Sequence, residues 1–194
     1  MPKLTPQDLL PLETYAKARA DIRSQVLAHK KPRTIALGEH VTLIFEDSLT
    51  ISYQVQEMLR VERIFEEAGI QDELDAYNPL IPDGSNWKAT MLIEYPDVAE
   101  RQIMLARLNG IEHKVWAQAA GQPKVYAIAD EDMERANEEK TSAVHFMRFE
   151  LDPATISAIK AGAAIGIGIE HALYRVQIPA LPQASRTALA QDLA

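Results

Sequence analysis

The chain has 194 residues, of which 47% are hydrophobic and 25% are charged. This length and apolar content are sufficient for one domain with a sizeable core. The sequence contains no cysteine, which excludes disulfides, thiolate zinc sites and cysteine-bound iron–sulfur clusters within this chain. A formal net charge of −8 argues against nonspecific binding to nucleic acid and to anionic membranes.

The opening segment, MPKLTPQDLLPLETYAKARAD, lacks the basic, apolar and small-residue order of a secretory signal. No apolar run reaches the length of about 18 residues that is typical of a membrane span. We therefore expect a cytoplasmic protein that forms one domain over residues 1–194. Residues 1–86 are predicted to be mainly helical with a short hairpin, and residues 87–194 to contain strand-helix-strand repeats and a C-terminal tail.

The first 86 residues contain helix signals on both sides of a hairpin signal. An apolar pattern over residues 12–27 predicts a helix. Two short strands, RTIAL and HVTLIFED, are predicted to pair through a tight turn at residues 38–39. Ser48 is then predicted to cap a helix that continues to Gly69, and IQDELDAY predicts a second, shorter helix.

From residue 87 onward, strands and helices alternate in two units of the same order. KATMLIEY, PDVAERQIMLARLNG and IEHKVWAQA predict the first unit; SAVHFMRFEL, DPATISAIKAG and AAIGIGIEHALY predict the second. Between them, GQPKVYAIADEDMERANEEKT predicts a strand followed by an acidic, solvated connection. The fold class indicated is α+β, with a helical N-terminal third packed beside a mixed sheet built from two strand-helix-strand units.

A Gly-Ile-Glu-His motif closes each unit, as GIEHKVW from Gly110 and as GIEHALY from Gly168. Strand alternation places His113 and His171 on faces that they share with aliphatic residues. One interpretation is that both bind a metal or transfer protons as neutral imidazoles. The other is that they pack at strand ends with one ring nitrogen bonded to a carbonyl, since the motif lacks metal-ligand spacing. His40, which also follows a glutamate, allows the same two interpretations.

Glu62 falls within the apolar stripe of the helix predicted after Ser48, at about 100° per residue. The stripe contains Ile51, Val55, Met58, Leu59 and Phe65. A carboxylate buried there must be ion-paired, metal-bound or protonated, because burying it charged and alone costs several kcal/mol. Glu62 is therefore a candidate ligand for a divalent metal, with His40, His113 and His171 as candidate partners, or a candidate acid–base group of raised pKa. The alternatives are an ion pair with an arginine from elsewhere, or a stripe that opens to solvent at this level.

Motifs of familiar enzyme classes are absent from the sequence. It contains no phosphate-binding P-loop, dinucleotide fingerprint, GxSxG elbow or HExxH helix, and no recognisable nucleophile for covalent catalysis. Whether the protein is an enzyme therefore stays open at this stage.

Several separated blocks of the chain resemble an uncharacterised bacterial family, domain of unknown function 3501. They are LTPQDLLPLETY, IALGEHVTLIFED, YQVQEMLRVERI, ELDAYNPLIP, LIEYPD, EEKTSAVHFMRFEL and GIEHALYR, so the resemblance runs almost from end to end. The family has no established activity and no catalytic residues to transfer to this chain. The resemblance implies gene neighbours that encode rubrerythrin-like di-iron proteins and iron–sulfur oxidoreductases, and hence a role beside redox or peroxide-defence proteins.

Three hypotheses about function follow. The first is an accessory, docking or regulatory component of a rubrerythrin or iron–sulfur oxidoreductase system, in which the partners carry the clusters. The second is a metal-dependent enzyme that uses a buried Glu62 with histidine ligands. The third is a homo-oligomer whose Glu62 face forms the interface.

Overall fold

The structure is a computed structural model that describes residues 2–131 and 140–194. The acidic connection predicted between the two repeated units falls mostly on residues 132–139 and so lies outside the described residues. The helices are α1 (Leu12–Lys30), α2 (Ser48–Glu62), α3 (Glu67–Tyr77), α4 (Val98–Arg107), α5 (Pro153–Lys160) and α6 (Gln183–Ala190). The strands are β1 (Thr34–Leu37), β2 (Val41–Glu46), β3 (Asn86–Ile93), β4 (Val115–Ala119), β5 (Val125–Tyr126), β6 (Ile128–Ala129), β7 (Val144–Glu150), β8 (Ile165–His171) and β9 (Tyr174–Ile178).

The strands form two sheets. The first sheet has the order β1-β2-β3-β7-β6, and the second has the order β5-β4-β8-β9. Every strand pair in both sheets is antiparallel. The α+β class with a helical N-terminal part is confirmed, but the strands do not share one mixed sheet.

The two predicted strand-helix-strand units are present as β3-α4-β4 and β7-α5-β8. In each unit the helical connection carries the chain from the first sheet to the second. The two opening strands, β3 and β7, are neighbours in the first sheet, and the two closing strands, β4 and β8, are neighbours in the second. The units therefore interlock across two sheets, which explains why the expected single sheet does not form.

The main core is built from alternate residues of both sheets, which meet in one apolar cluster. Along β3 buried and half-buried residues alternate, as expected for a strand with one face on the core. Phe45 of β2 lies 6.0 Å, centroid to centroid, from both Trp87 of β3 and Phe149 of β7. This spacing is within the range of favourable aromatic pairs.

A second, smaller apolar cluster holds the N-terminal helices together. Its buried members are Ile51, Val55, Leu59, Leu74 and Ile81. Beside it, Glu57 of α2 accepts hydrogen bonds from Arg19 and Tyr15 of α1 at 2.7–2.8 Å. These charged hydrogen bonds, from Arg19 above all, hold the pKa of Glu57 well below its usual range. The ionised Glu57 carboxylate thus links α1 to α2 through Arg19 and Tyr15.

The bounds of α2 differ from the prediction at both ends. Asp47, not Ser48, is the N-cap, and its carboxylate accepts the Thr50 N–H at 2.9 Å. The helix ends at Glu62 rather than at Gly69, because Arg63 adopts a left-handed conformation with φ 57°. The Arg63 N–H then bonds the Leu59 carbonyl, which is a helix-terminating geometry.

The predicted hairpin is confirmed, with β1 and β2 joined by residues 38–40. Gly38 has φ +76°, and a Cβ there would lie 2.6 Å from the Tyr174 hydroxyl oxygen. That hydroxyl donates to the Leu37 carbonyl at 2.6 Å and accepts the His40 N–H at 3.1 Å. Tyr174 thus ties the tip of the hairpin to β9 of the second sheet.

The C-terminal segment closes the fold. Arg33, after α1, makes a two-point ion pair with Asp192 at 2.7 and 2.8 Å, and both side chains are buried. The Trp87 indole N–H donates to the Leu189 carbonyl at 2.9 Å. None of the helices within residues 2–131 and 140–194 combines the length and the apolar content that a bilayer span requires.

Candidate functional site

Glu62, the first sequence-based candidate, lies at the surface. It is the last residue of α2, and its side chain is exposed. The buried face of the helix consists of Thr50, Ile51, Val55, Gln56 and Leu59, so it ends one turn before Glu62. The expectation that Glu62 is buried is wrong, and the alternative of a stripe that opens to solvent describes the observed position.

The three candidate histidines lie in segments that begin or end strands of the two sheets. His40, in the hairpin turn, stacks on Tyr95 with ring centroids 4.0 Å apart, and its Nδ1 lies 3.1 Å from the Glu94 carbonyl oxygen. His171, at the end of β8, places Nε2 3.3 Å from the Asn109 carbonyl oxygen. His113 is exposed.

The structure does not bring the four candidate residues, Glu62, His40, His113 and His171, together in one site. Among the described residues, no hydrogen bond or ion pair joins any two of Glu62, His40, His113 and His171. Over residues 2–131 and 140–194, no group of three or more His, Asp or Glu side chains has the arrangement of a metal site. The metal-dependent enzyme remains a hypothesis whose proposed ligands do not form a cluster among the described residues.

The two Gly-Ile-Glu-His motifs have different conformations. The first forms a short 3-10 helix, Ile111–Lys114, which precedes β4, after Gly110 at φ 84°. The second belongs to β8 itself. Accordingly Glu112 is buried, with 3% exposure, whereas Glu170 is exposed and bonds Lys124 and Tyr126. The repeat therefore marks equivalent places in the two units but not one chemical site used twice.

A buried polar network, which sequence reasoning missed, surrounds His145 on β7. The imidazole has 0% exposure. Its Nδ1 lies 2.5 Å from Asp130 Oδ2, and its Nε2 lies 2.8 Å from Thr141 Oγ1 and 3.1 Å from the Ser142 carbonyl oxygen. The Thr141 hydroxyl in turn donates to Glu112 Oε2 at 2.9 Å. Two carboxylates are thus linked through one imidazole and one hydroxyl.

The contacts of His145 bear on the hydrogen-bonding role of its Nε2 nitrogen. The Ser142 carbonyl is only an acceptor, so Nε2 carries a proton. On the other side of the ring, Nδ1 faces the Asp130 carboxylate across the 2.5 Å contact. Alternation in VHFMRFE places His145 on the same face as Met147 and Phe149, and this was the signal for its burial. The network holds three chain segments together, but its central ring is fully buried and so is out of reach of a ligand.

An exposed apolar surface lies beside the helical cluster. It consists of Leu10 and Phe65, which are 40% and 70% exposed, and is called the Phe65 surface below. Leu10 and Phe65 also line a cavity of about 310 Å³. The other lining residues of this cavity are Pro6, Leu9, Pro11, Leu12, Leu59, Ile64 and Ile70, so its walls are apolar.

Three acidic residues lie close to Phe65 along the chain. Glu62, Glu66 and Glu67 flank Phe65 in the chain, and all three are exposed. The pKa of Glu73 on α3 is raised, mainly by burial and secondly by the neighbouring Glu62 carboxylate. The surface therefore combines a large exposed aromatic side chain with a negative local potential.

Comparison with known proteins agrees with the end-to-end resemblance. Residues 3–193 match the model of a family described as "Protein of unknown function (DUF3501)". A crystal structure of a protein of unknown function from Burkholderia pseudomallei is 51% identical, with a TM-score of 0.95 and coverage of 100% of both chains. No curated protein matches the chain. The chain therefore belongs to the DUF3501 family of proteins of unknown function.

Proposed function

We propose that this protein is a cytoplasmic accessory, docking or regulatory component of a redox or peroxide-defence system. Its partner would be a rubrerythrin-like di-iron protein or an iron–sulfur oxidoreductase, bound at the Phe65 surface. The class of partner comes from the family resemblance. The observation that carries the docking role is the exposure of Phe65, 70% of which faces solvent beside an apolar cavity.

Exposure of the Phe65 ring to water costs free energy that a partner would regain by covering the ring. An aromatic side chain buries about 150–250 Å² when it is covered, at about 25 cal/mol per Å². Aromatic anchors that fill pockets commonly dominate the binding energy of protein interfaces. Phe65, which lines the cavity together with Leu10, is an exposed aromatic side chain of this kind.

The acidic residues near the Phe65 surface indicate which kind of partner surface would bind there. Glu62, Glu66 and Glu67 would favour a partner with an apolar centre and a basic rim, because complementary charge steers encounter and suppresses wrong partners. Since the chain has no cysteine, any iron–sulfur cluster in the complex would be held by the partner.

Co-purification from the native host tests the proposal, using wild type, Phe65→Asp and Leu173→Asp. Leu173 is the matched control, since it is 53% exposed but lies in the turn between β8 and β9 of the second sheet. We expect wild type and Leu173→Asp to retain a di-iron or iron–sulfur protein under gentle conditions, and Phe65→Asp to lose it. Recovery of no such protein, or equal recovery with Phe65→Asp, would contradict the proposal.

The competing occupant of the Phe65 surface is a second copy of this chain. Light scattering on the purified protein separates the two cases. A dimer that dissociates in Phe65→Asp and persists in Leu173→Asp would assign the surface to self-association, and the docking proposal would then fail. A monomeric wild type leaves the surface free for the redox partner.

A further inference from the structure

A second cavity, of about 260 Å³, lies between the first sheet and the segment that follows α3. Residues of β3 and β7 form its sheet side, and Pro79 and Leu80 form the opposite side. The remaining lining residues are Lys88, Glu131, Phe146, Met147 and Arg148. The lining is thus part apolar and part charged, and it contains one amine, after which it is called the Lys88 cavity below.

The register of the first sheet places Lys88 on the outer face, on the opposite side from the main core. Its neighbours along β3, Trp87 and Ala89, are buried in that core, so alternation directs Lys88 the other way. Across the strands, Lys88 pairs with Arg148 on β7 and with Glu46 on β2. The Lys88 side chain is half-buried. Strand geometry thus brings an amine to the wall of a partly apolar cavity.

The two carboxylates near Arg148 bind its guanidinium rather than the Lys88 amine. Glu131 accepts hydrogen bonds from Arg148 Nε and a terminal nitrogen at 2.8 and 2.7 Å. Glu150 makes an ion pair with the other terminal nitrogen of Arg148. The planar guanidinium therefore occupies the acids that could otherwise neutralise Lys88.

The other two carboxylates around Lys88 are also engaged elsewhere. Glu46 accepts two threonine hydroxyls, at 2.6 and 2.7 Å. Asp83 accepts the Ser85 N–H and hydroxyl, both at 2.8 Å. Within residues 2–131 and 140–194, Lys88 itself makes no hydrogen bond and has no carboxylate at ion-pair distance.

The environment of Lys88 favours the neutral form of its amine. The pKa of Lys88 is lowered, mainly by burial and secondly by the Arg148 guanidinium beside it. The surrounding carboxylates, Glu131, Asp83 and Glu150, act in the opposite direction and do not cancel these two effects. At neutral pH a larger fraction of Lys88 is therefore uncharged than of an exposed lysine, and the uncharged amine is the nucleophilic form.

We propose that the Lys88 amine condenses with an aldehyde or ketone whose short alkyl chain occupies the cavity. The lone pair of Lys88 Nζ bonds to the carbonyl carbon, and a proton passes from the nitrogen to the carbonyl oxygen to give a carbinolamine. The hydroxyl group then leaves with the remaining nitrogen proton as water, and a C=N bond forms, so no oxidant or reductant is required. The alkyl chain contacts Leu80 and Phe146. This site is independent of the Phe65 surface, which lies on other residues.

The probe is pentanal, with sodium cyanoborohydride to reduce the imine to a stable N-pentyl-lysine. Peptide mass spectrometry of the wild type at neutral pH gives the initial rate of alkylation at each lysine. Lys88 should react roughly tenfold or more faster than Lys160, an exposed lysine at the end of α5, because more of its amine is neutral and the cavity holds the alkyl chain. A rate at Lys88 equal to or below that at Lys160 would overturn the proposal.

Acetaldehyde is the matched comparator, since it has the same reactive group without the longer alkyl chain. The ratio of the Lys88 rate to the Lys160 rate should be at least about threefold larger with pentanal, because only pentanal can bury several methylene groups against the apolar wall. The same ratio for both aldehydes would show that the cavity does not bind the alkyl chain, and the proposed site would be wrong.

Two variants test the assignment to Lys88 by the mass of the intact protein. Lys88→Met replaces the amine by an unbranched apolar side chain, and should remove the fast first addition of a pentyl group. Lys160→Met, the matched control at an exposed lysine, should retain it. A fast first addition that persists in Lys88→Met would contradict the assignment. If Lys88→Met does not fold, the rates at individual lysines of the wild type decide the question alone.

Discussion

His145 lies between two buried or nearly buried carboxylates, Asp130 and Glu112, and its imidazole is fully enclosed. Such groups are stable inside a protein only while their hydrogen bonds are complete. Strand alternation in VHFMRFE is the signal that could have placed the ring on the core face, but no local pattern indicates its partners. Asp130 precedes it by 15 residues and Glu112 by 33, and the partners meet only when β7, the 3-10 helix before β4 and the end of β6 are assembled.

We expect His145→Leu to destabilise the protein by about 3–5 kcal/mol, because the substitution leaves two carboxylates without their imidazole contact. The free energy of unfolding from urea denaturation measures this loss. His113→Leu is the matched control: that ring is exposed, so its loss should change stability by less than about 0.5 kcal/mol. Similar values for the two variants would show that the network contributes no net stability.

At the scale of elements, the sequence located the helices and strands better than it located their ends. The helix after β2 was placed correctly because its apolar residues recur at helical spacing along 51–59. Its end was missed because Arg63 carries no signal for a left-handed residue, whereas Gly69, used as the predicted stop, lies inside α3. This one boundary moved Glu62 and Phe65 from an expected buried stripe to the surface.

The left-handed Arg63 gives a direct test of that boundary. A non-glycine residue in this region costs about 1–2 kcal/mol, which glycine avoids. We expect Arg63→Gly to raise the melting temperature by about 2–4 °C, as a gain of about 1 kcal/mol does in a chain of this size. Arg63→Ala, which removes the same side chain but keeps a Cβ, should give no rise. A lower melting temperature for Arg63→Gly would show that α2 does not end at this residue in solution.

At the scale of the whole molecule, the order of elements was predictable but their partners were not. Periodicity identifies which face of a strand is buried, and it correctly separated the strand-helix-strand units. It does not identify which strand lies alongside. The chain crosses between sheets through α4 and again through α5, so β3 pairs with β7, and β4 with β8, over long sequence separations. The Phe65 surface forms instead where the N-terminal segment meets the end of α2, and periodicity did not predict its exposure.

The C-terminal segment joins the parts of this assembly. Asp192 binds Arg33 at the start of the hairpin, and Leu189 accepts the indole N–H of Trp87 in the first sheet. Asp192→Asn should therefore destabilise the protein by about 2–4 kcal/mol, since Arg33 stays buried with one carboxylate fewer. Gln191→Ala, at the exposed neighbouring position, should have almost no effect.

Because Trp87 and Trp116 lie in different sheets, tryptophan fluorescence and far-ultraviolet circular dichroism together report on both. We expect the two signals to shift to lower denaturant together in Asp192→Asn, since the tail stabilises one cooperative unit. Transitions that separate in the variant would show instead that the sheets unfold independently once the tail is released.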